Sequence, residues 1–288
     1  MANMLRGISD NGGIVFYGVD STNIVREMER IHQTSAVTSA ALGRLLTAAS
    51  MIGITLKNRQ DSLTLRLNGG GPAGTVLAVA DGAGCVKGYV QNPVVELPLR
   101  ADGKLDVGGA VGKNGTLGVV RDLGLKEPYV GQIPLVSGEV AEDITAYYAA
   151  SEQIPTVCAL GVLVNPDLTI ACAGGYMIQL LPGASEDEIS LLEQNVANAP
   201  SVTQLLQKGM APADIMQLVL KGFDPQVLDE YQVGYRCDCS RQRVEQALIS
   251  MGRKELEALA REEKQVEVNC QFCDKKYYVE PARLLRSL

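Results

Sequence analysis

Apolar and polar side chains alternate strictly over Ser62-Leu63-Thr64-Leu65-Arg66-Leu67, the two-residue period of a strand that buries one face. Residues 12–19, Gly-Gly-Ile-Val-Phe-Tyr-Gly-Val, read as an earlier strand. Between the two the period lengthens. Val37, Ala41, Leu45, Ala48 and Ile52 fall on one helical stripe that Thr34 or Ser35 can cap and Gly53 stops. Residues 68–74 then form a turn, 75–80 a strand, and Asp81-Gly82-Ala83-Gly84 a hairpin into a strand over 85–90. Acidic residues in Ser137-Gly138-Glu139-Val140-Ala141-Glu142-Asp143 suit the first turn of a helix continuing through Ile144, Tyr147 and Tyr148, a better reading than catalytic carboxylates. Residues 157–170 read as two apolar strands joined at Asn165-Pro166-Asp167, and 174–181 as another. From Ser185 the pattern turns helical. Ser185-Glu186-Asp187-Glu188 is a capping box leading to Ile189, Leu192 and Val196, with short helices following near 201–208 and 212–221. Near the end, Val244, Leu248 and Met251 mark one helix and Leu256 and Leu259 a second. Tyr277-Tyr278-Val279 mark a strand, and Pro281 opens a last short helix. The expected fold is α+β: a sheet-rich domain with a buried helix over 1–183, a helical linker over 184–231, and a small C-terminal domain over 232–288.

Composition alters this picture in two places. The run 36–56 is apolar enough to suggest a membrane span, but Arg44 sits at its centre among hydroxyl side chains. A central Arg costs about 2.5 kcal/mol or more on insertion, so the run is predicted as a buried helix and no membrane partner is expected. The formal charge of −7 is unevenly spread: residues 230–288 carry eleven basic and ten acidic side chains, leaving 15 basic and 23 acidic before them. An acidic body is a poor partner for phosphate backbones, so no nucleic-acid partner is expected. The start, Met1-Ala2-Asn3-Met4-Leu5-Arg6-Gly7, lacks the pattern of an export signal, which makes the reducing cytoplasm the expected location.

Several motifs dissolve on inspection. Gly69, Gly71 and Gly74 satisfy G-x-G-x-x-G, but Pro72 and a following strand replace the helix that a dinucleotide site requires. Gly112-Lys113 is followed by Asn114 and fails as a phosphate loop. His32 is the sole histidine and reads as structural, and Cys85, Cys158 and Cys172 fall in strands as core thiols.

The chemistry lies in the four remaining cysteines. Cys237-Asp238-Cys239 is followed after thirty residues by Cys270-Gln271-Phe272-Cys273. Four thiolates suit a tetrahedral zinc ion, with Zn–S of about 2.3 Å and sulfurs about 3.8 Å apart. The Cys-x-x-Cys pair forms a knuckle readily. The Cys-x-Cys pair reaches one metal only if its backbone bends, since alternate Cα atoms of an extended chain lie about 6.6 Å apart. The same bend would permit a strained local bridge between Cys237 and Cys239. The four can hold zinc or two local disulfides, not both. A segment of this size rarely supplies more than about 3–5 kcal/mol from its core, whereas structural zinc contributes about 10–16 kcal/mol, so loss of metal should unfold it. Arg236, Arg241, Arg243, Lys275 and Lys276 flank the ligands, either offsetting thiolate charge or as ordinary solvated surface.

Together with Leu67-Asn68-Gly69-Gly70-Gly71-Pro72, Gly88-Tyr89-Val90-Gln91-Asn92-Pro93, and Ser137 to Asp143 leading to Ser151-Glu152-Gln153, these cysteines make the chain resemble the redox-regulated 33 kDa heat-shock chaperone family of bacteria. The resemblance spans almost the whole length. It implies an ATP-independent holdase rather than an enzyme, with one Zn2+ bound by Cys237, Cys239, Cys270 and Cys273 in the reduced state. Oxidation would pair Cys237 with Cys239 and Cys270 with Cys273, the knuckle first. Loss of zinc and of order in the linker would free apolar surface for unfolded client proteins, with a homodimer as the active form. Two rivals stand beside it: a zinc-ribbon nucleic-acid binder, which needs a steep salt dependence, and a thiol-disulfide oxidoreductase, which needs a strand, Cys-x-x-Cys and helix order not seen here.

Overall fold

The computed structural model describes residues 1–286 and divides the chain into two compact units, Met1–Tyr235 and Arg236–Leu288. The first unit begins with strands β1 (Ala2–Ile8) and β2 (Ile14–Asp20) and helices α1 (Thr22–His32) and α2 (Ala36–Gly53). Strands β3 (Ser62–Asn68), β4 (Val76–Asp81) and β5 (Val86–Val90) follow, then α3 (Val107–Val111), β6 (Thr116–Asp122), β7 (Tyr129–Pro134) and α4 (Ala141–Tyr147). A π-helical turn at Tyr148–Glu152 leads to the long hairpin β8 (Thr156–Val164) and β9 (Ile170–Leu180). Helices α5 (Glu186–Asn198), α6 (Val202–Gln207) and α7 (Pro212–Val219) precede strand β10 (Gln226–Val233).

These strands make two antiparallel five-stranded sheets, ordered β10-β1-β2-β9-β8 and β5-β4-β3-β6-β7. Helix α2 packs against β8 and β9 of the first and β4 and β5 of the second. All its residues but Ala36 and Arg44 are buried, so the helix long enough to span a membrane is the core of this unit. Its apolar stripe thus widens to the whole circumference, as expected of a helix enclosed on all sides. The buried hydroxyls are satisfied locally: Thr47 Oγ1 lies 2.7 Å from Ser21 Oγ, and Ser50 Oγ donates to the Gly84 carbonyl at 2.6 Å. Arg44 reaches Glu139 at 2.6 Å. A small residue is required at Gly43, where a Cβ would come within 2.9 Å of Val162 and Val25.

The opposite face of the first sheet is covered by α5, α6 and α7. Leu5, Phe16, Tyr176 and Ile178 from the sheet meet Leu192, Leu205, Met216, Val219 and Phe223 in a second apolar cluster. Ser185 caps α5 as its sequence predicts, its Oγ accepting from the Glu188 N–H while Glu188 accepts from the Ser185 N–H at 2.7 Å.

Four local readings need correction. Residues 226–231, taken as the end of a helical linker, belong with 232–233 to strand β10; six of its eight residues are exposed, so no alternation is written there, and pairing with the free edge of β1 creates the strand. Residues 170–180 form one strand rather than two, because Gly174 and Gly175 pair on both sides without interrupting the ladder. Strands β1, β6 and β7, helices α1 and α3, and a strand over Val266–Asn269 were not anticipated. Cys85 lies in the hairpin turn before β5, half-buried, its N–H held by Asp81 Oδ1 at 3.0 Å.

The glycine run 69–74 is a turn pressed against α3, where a Cβ at Gly69 would lie 2.0 Å from the Gly112 carbonyl. No helix starts there among the described residues, and the chain passes directly into β4.

The second unit contains α8 (Arg241–Ser250), α9 (Arg253–Glu262), the hairpin β11 (Val266–Asn269) and β12 (Lys276–Val279), and α10 (Pro281–Leu285). Its core is small: Leu248, Leu256, Val279 and Leu284 are buried together.

Candidate metal centre

Two local structures supply the thiols. Cys237 and Cys239 lie in an irregular segment that ends where Ser240 caps α8, its Oγ accepting from the Arg243 N–H at 3.3 Å. From this stretch both sulfurs turn to one point. Cys270 and Cys273 sit in the turn joining β11 to β12. There the Cys273 and Asp274 amides donate to the Cys270 carbonyl at 3.3 and 2.8 Å, and the Cys270 amide donates to the Lys275 carbonyl at 3.0 Å. Asp274 closes the knuckle with a left-handed φ of 56°, a conformation Asp tolerates better than most residues.

The four sulfurs converge within 4.8 Å of one another. Cys237 Sγ is 3.7 Å from Cys270 Sγ, and Cys239 Sγ is 3.4 Å from Cys273 Sγ. These separations bracket the short side of the roughly 3.8 Å spacing of a tetrahedral thiolate zinc site, so the donor set and its geometry fit a single ion. All seven cysteines of the chain are free thiols here.

Hydrogen bonds orient the ligands from outside. Tyr277 Oη donates to Cys239 Sγ at 3.1 Å, and the Cys239 and Lys275 amides donate to the sulfurs of Cys237 and Cys273. Such outer partners fix ligand direction and charge. For Cys239, burial works against the thiolate, but hydrogen bonds from Tyr277 and the other three thiols outweigh it and bring the group to about 7. Burial raises Cys237 and Cys273. The bond to Cys239 holds the Tyr277 hydroxyl protonated well above its ordinary range. Three of the flanking cations are engaged by carboxylates: Arg243 with Asp238, Arg241 with Glu245 at 2.9 Å, and Lys276 with Glu267 at 2.8 Å. Lys275 lies over the Tyr277 ring, 5.3 Å from its centroid.

The model of the Hsp33 protein family matches residues 2–280. The chain belongs to the Hsp33 family. The 33 kDa chaperonin of Clostridioides difficile (strain 630) is 49% identical over 285 residues, covering 99% of this chain and 98% of that protein. That of Alkaliphilus metalliredigens (strain QYMF) is 44% identical over 283 residues, covering 98% and 97%. The crystal structure of the 33 kDa chaperonin, a heat shock protein 33 homolog, from Thermotoga maritima superimposes with a TM-score of 0.91 at 37% identity, covering 99% of this chain and 98% of that one. In this Hsp33 chain all four cysteines singled out by spacing come together, while Cys85, Cys158 and Cys172 stay apart from them. Tyr277 escaped the sequence reading, which saw it only as a strand residue. Its signal is faint: a tyrosine four residues beyond the knuckle, on the strand that leaves it.

His32 is structural, its Nε2 lying 3.2 Å from the Tyr235 hydroxyl. Cys158 packs against the main core. Its residue surface is only partly covered, yet its sulfur sits among apolar groups, and that burial pushes the thiol up to about 12.

Proposed function

We propose that this member of the Hsp33 chaperone family is a redox-regulated, ATP-independent holdase of the reducing cytoplasm, acting by stoichiometric client binding and not by turnover. The observation that carries the reading is the convergence of four thiols, from two segments thirty residues apart, onto one point in a unit whose buried apolar cluster comprises four side chains among the described residues. Zn2+ held by Cys237, Cys239, Cys270 and Cys273 would supply the cross-link between those segments. Such a link contributes about 10–16 kcal/mol, against the few kcal/mol a core of this size provides.

The thiols themselves perform the switch. Cys237 with Cys239, and Cys270 with Cys273, each lose two electrons and two protons to form one disulfide, reducing one peroxide to two waters. A sulfur engaged in a disulfide no longer offers a thiolate to a metal, so oxidation removes the cross-link. The Arg236–Leu288 unit then loses order, and chain continuity passes the disturbance to the connector. Release of α5 to α7 would uncover Leu5, Phe16, Tyr176 and Ile178 on the sheet and the apolar faces of the helices. Unfolded client chains bind that surface, and the active form is a homodimer. The engaged state of Arg241, Arg243 and Lys276 weighs against a nucleic-acid reading, which needs cations available for phosphate.

The test is zinc content and light scattering of a heat-denatured client before and after peroxide. The expected result is one zinc per thiol-protected chain, lost on oxidation as scattering is suppressed. Equal suppression by the reduced, zinc-loaded protein would overturn the switch.

A further inference from the structure

Every open sheet has two edges, and an edge left unpaired recruits other strands. The first unit therefore has four. Strand β8 has no exposed residue. Strand β5 has none either, and its outer groups are taken: the Val86 N–H donates to the Gly234 carbonyl at 2.9 Å, and Tyr235 Oη bonds both the N–H and C=O of Gly88. Strand β10 is exposed but carries Asp229 and Glu230, charges that discourage pairing. Strand β7, Tyr-Val-Gly-Gln-Ile-Pro, has no charge at all, and four of its six residues are exposed.

The direction of its backbone groups follows from register. The Leu135 N–H donates to the Gly115 carbonyl at 3.0 Å, on the β6 side. Alternate residues of an antiparallel strand send N–H and C=O the same way. Gly131 and Ile133 thus turn to Val119 and Leu117 of β6, and Val130 and Gln132 turn outward. The stretch 123–136 also holds Leu123, Leu125, Tyr129, Val130 and Val136, five of the fifteen exposed large apolar side chains among the described residues.

We infer that the outer edge of β7 is a docking site for extended, apolar segments of unfolded polypeptide, which add to the sheet as a sixth strand. The inference rests on the holdase reading and names one place where the client is held. Main-chain pairing is indifferent to sequence, which suits a protein that meets many unfolded chains. A second copy is the poorer occupant. Only Val130 and Gln132 present outward donors, Pro134 has none, and a six-residue seam falls far short of the roughly 1,200–2,000 Å2 of a stable interface. The same smallness makes the edge a weak, reversible hold that gains strength when the client is gripped elsewhere as well.

The experiment uses the full chain after peroxide treatment and a fluorescein-labelled octapeptide of alternating Val and Thr, followed by fluorescence anisotropy, with suppression of client light scattering and sedimentation velocity in parallel. Gln132→Pro removes an outward donor at an edge that tolerates proline, and Val130→Lys adds a guarding charge. Met251→Lys, at an exposed position of the other unit, is the control. Gln132→Pro is expected to bind the peptide about fivefold to tenfold more weakly, the loss of one or two hydrogen bonds, Val130→Lys to weaken binding at least about twofold through the charge placed at the edge, and Met251→Lys to bind as wild type. Should Gln132→Pro fail to fold, Val130→Lys carries the test. Unchanged affinity in the β7 variants, or wild type that suppresses scattering without binding the peptide, overturns the edge site and leaves the holdase reading standing. A shift of the variants to monomer with affinity per chain unchanged overturns it too, by making the edge a seam between copies. Wild type that suppresses no scattering removes the holdase reading itself.

Discussion

Tyr277 shows how a single hydroxyl shapes the cysteine cluster. Its proton is aimed at Cys239, the thiol brought lowest, to about 7. Removing that donor leaves the sulfur count unchanged but the ligand less well held, and outer-shell losses of this kind typically cost 10–100-fold in metal affinity. Tyr277→Phe is therefore expected to weaken zinc binding by about that factor in a chelator competition, whereas Cys239→Ser should abolish stoichiometric zinc. Cys158 illustrates the opposite case. With its thiol pushed up to about 12, its thiolate fraction at pH 8 is about one in ten thousand. Mass spectrometry after iodoacetamide treatment at that pH should find Cys158 unmodified in the folded protein and alkylated once denaturant is added.

At the scale of elements, the connector helices are short and individually weak. Helix α6 spans six residues and α7 eight, well below the length at which an isolated helix persists. Their order comes from the sheet beneath them and from their caps. The Ser185 cap is therefore a sensitive point: Ser185→Ala should cost about 1 kcal/mol, read as roughly fivefold faster deuterium uptake by the amides of α5 with β3 and β4 unaffected. Strand β10 belongs to this scale as well. Its residues become a strand because β1 presents a free edge, and a segment ordered by its neighbour is lost when the neighbour is.

At the scale of the whole molecule the two units differ in what holds them. Met1–Tyr235 encloses α2 between two sheets with dozens of buried side chains, while the buried apolar cluster of Arg236–Leu288 numbers four side chains among the described residues, beside the sulfur cluster. Chelating the metal under reducing conditions is expected to abolish deuterium protection over 241–286 while β2, β3, β9 and α2 remain protected. Retained protection in the second unit after complete zinc removal would show that the cluster is not its main support.

The amino-acid sequence determined by itself whatever local period, composition or spacing encodes. That includes the alternation of β3, the apolar run of α2, the Ser185 capping box, the short helices α6 and α7, and the two cysteine pairs whose close spacings leave metal or local disulfide as their chemistry. It did not determine features that arise only when distant segments meet. Strand β10 has no pattern of its own and exists through β1. The hydroxyl of Tyr277 matters only because the β11–β12 hairpin carries it back to Cys239. The exposure of β7 depends on which strands end each sheet, and strand order is set by long-range pairing that no local signal records.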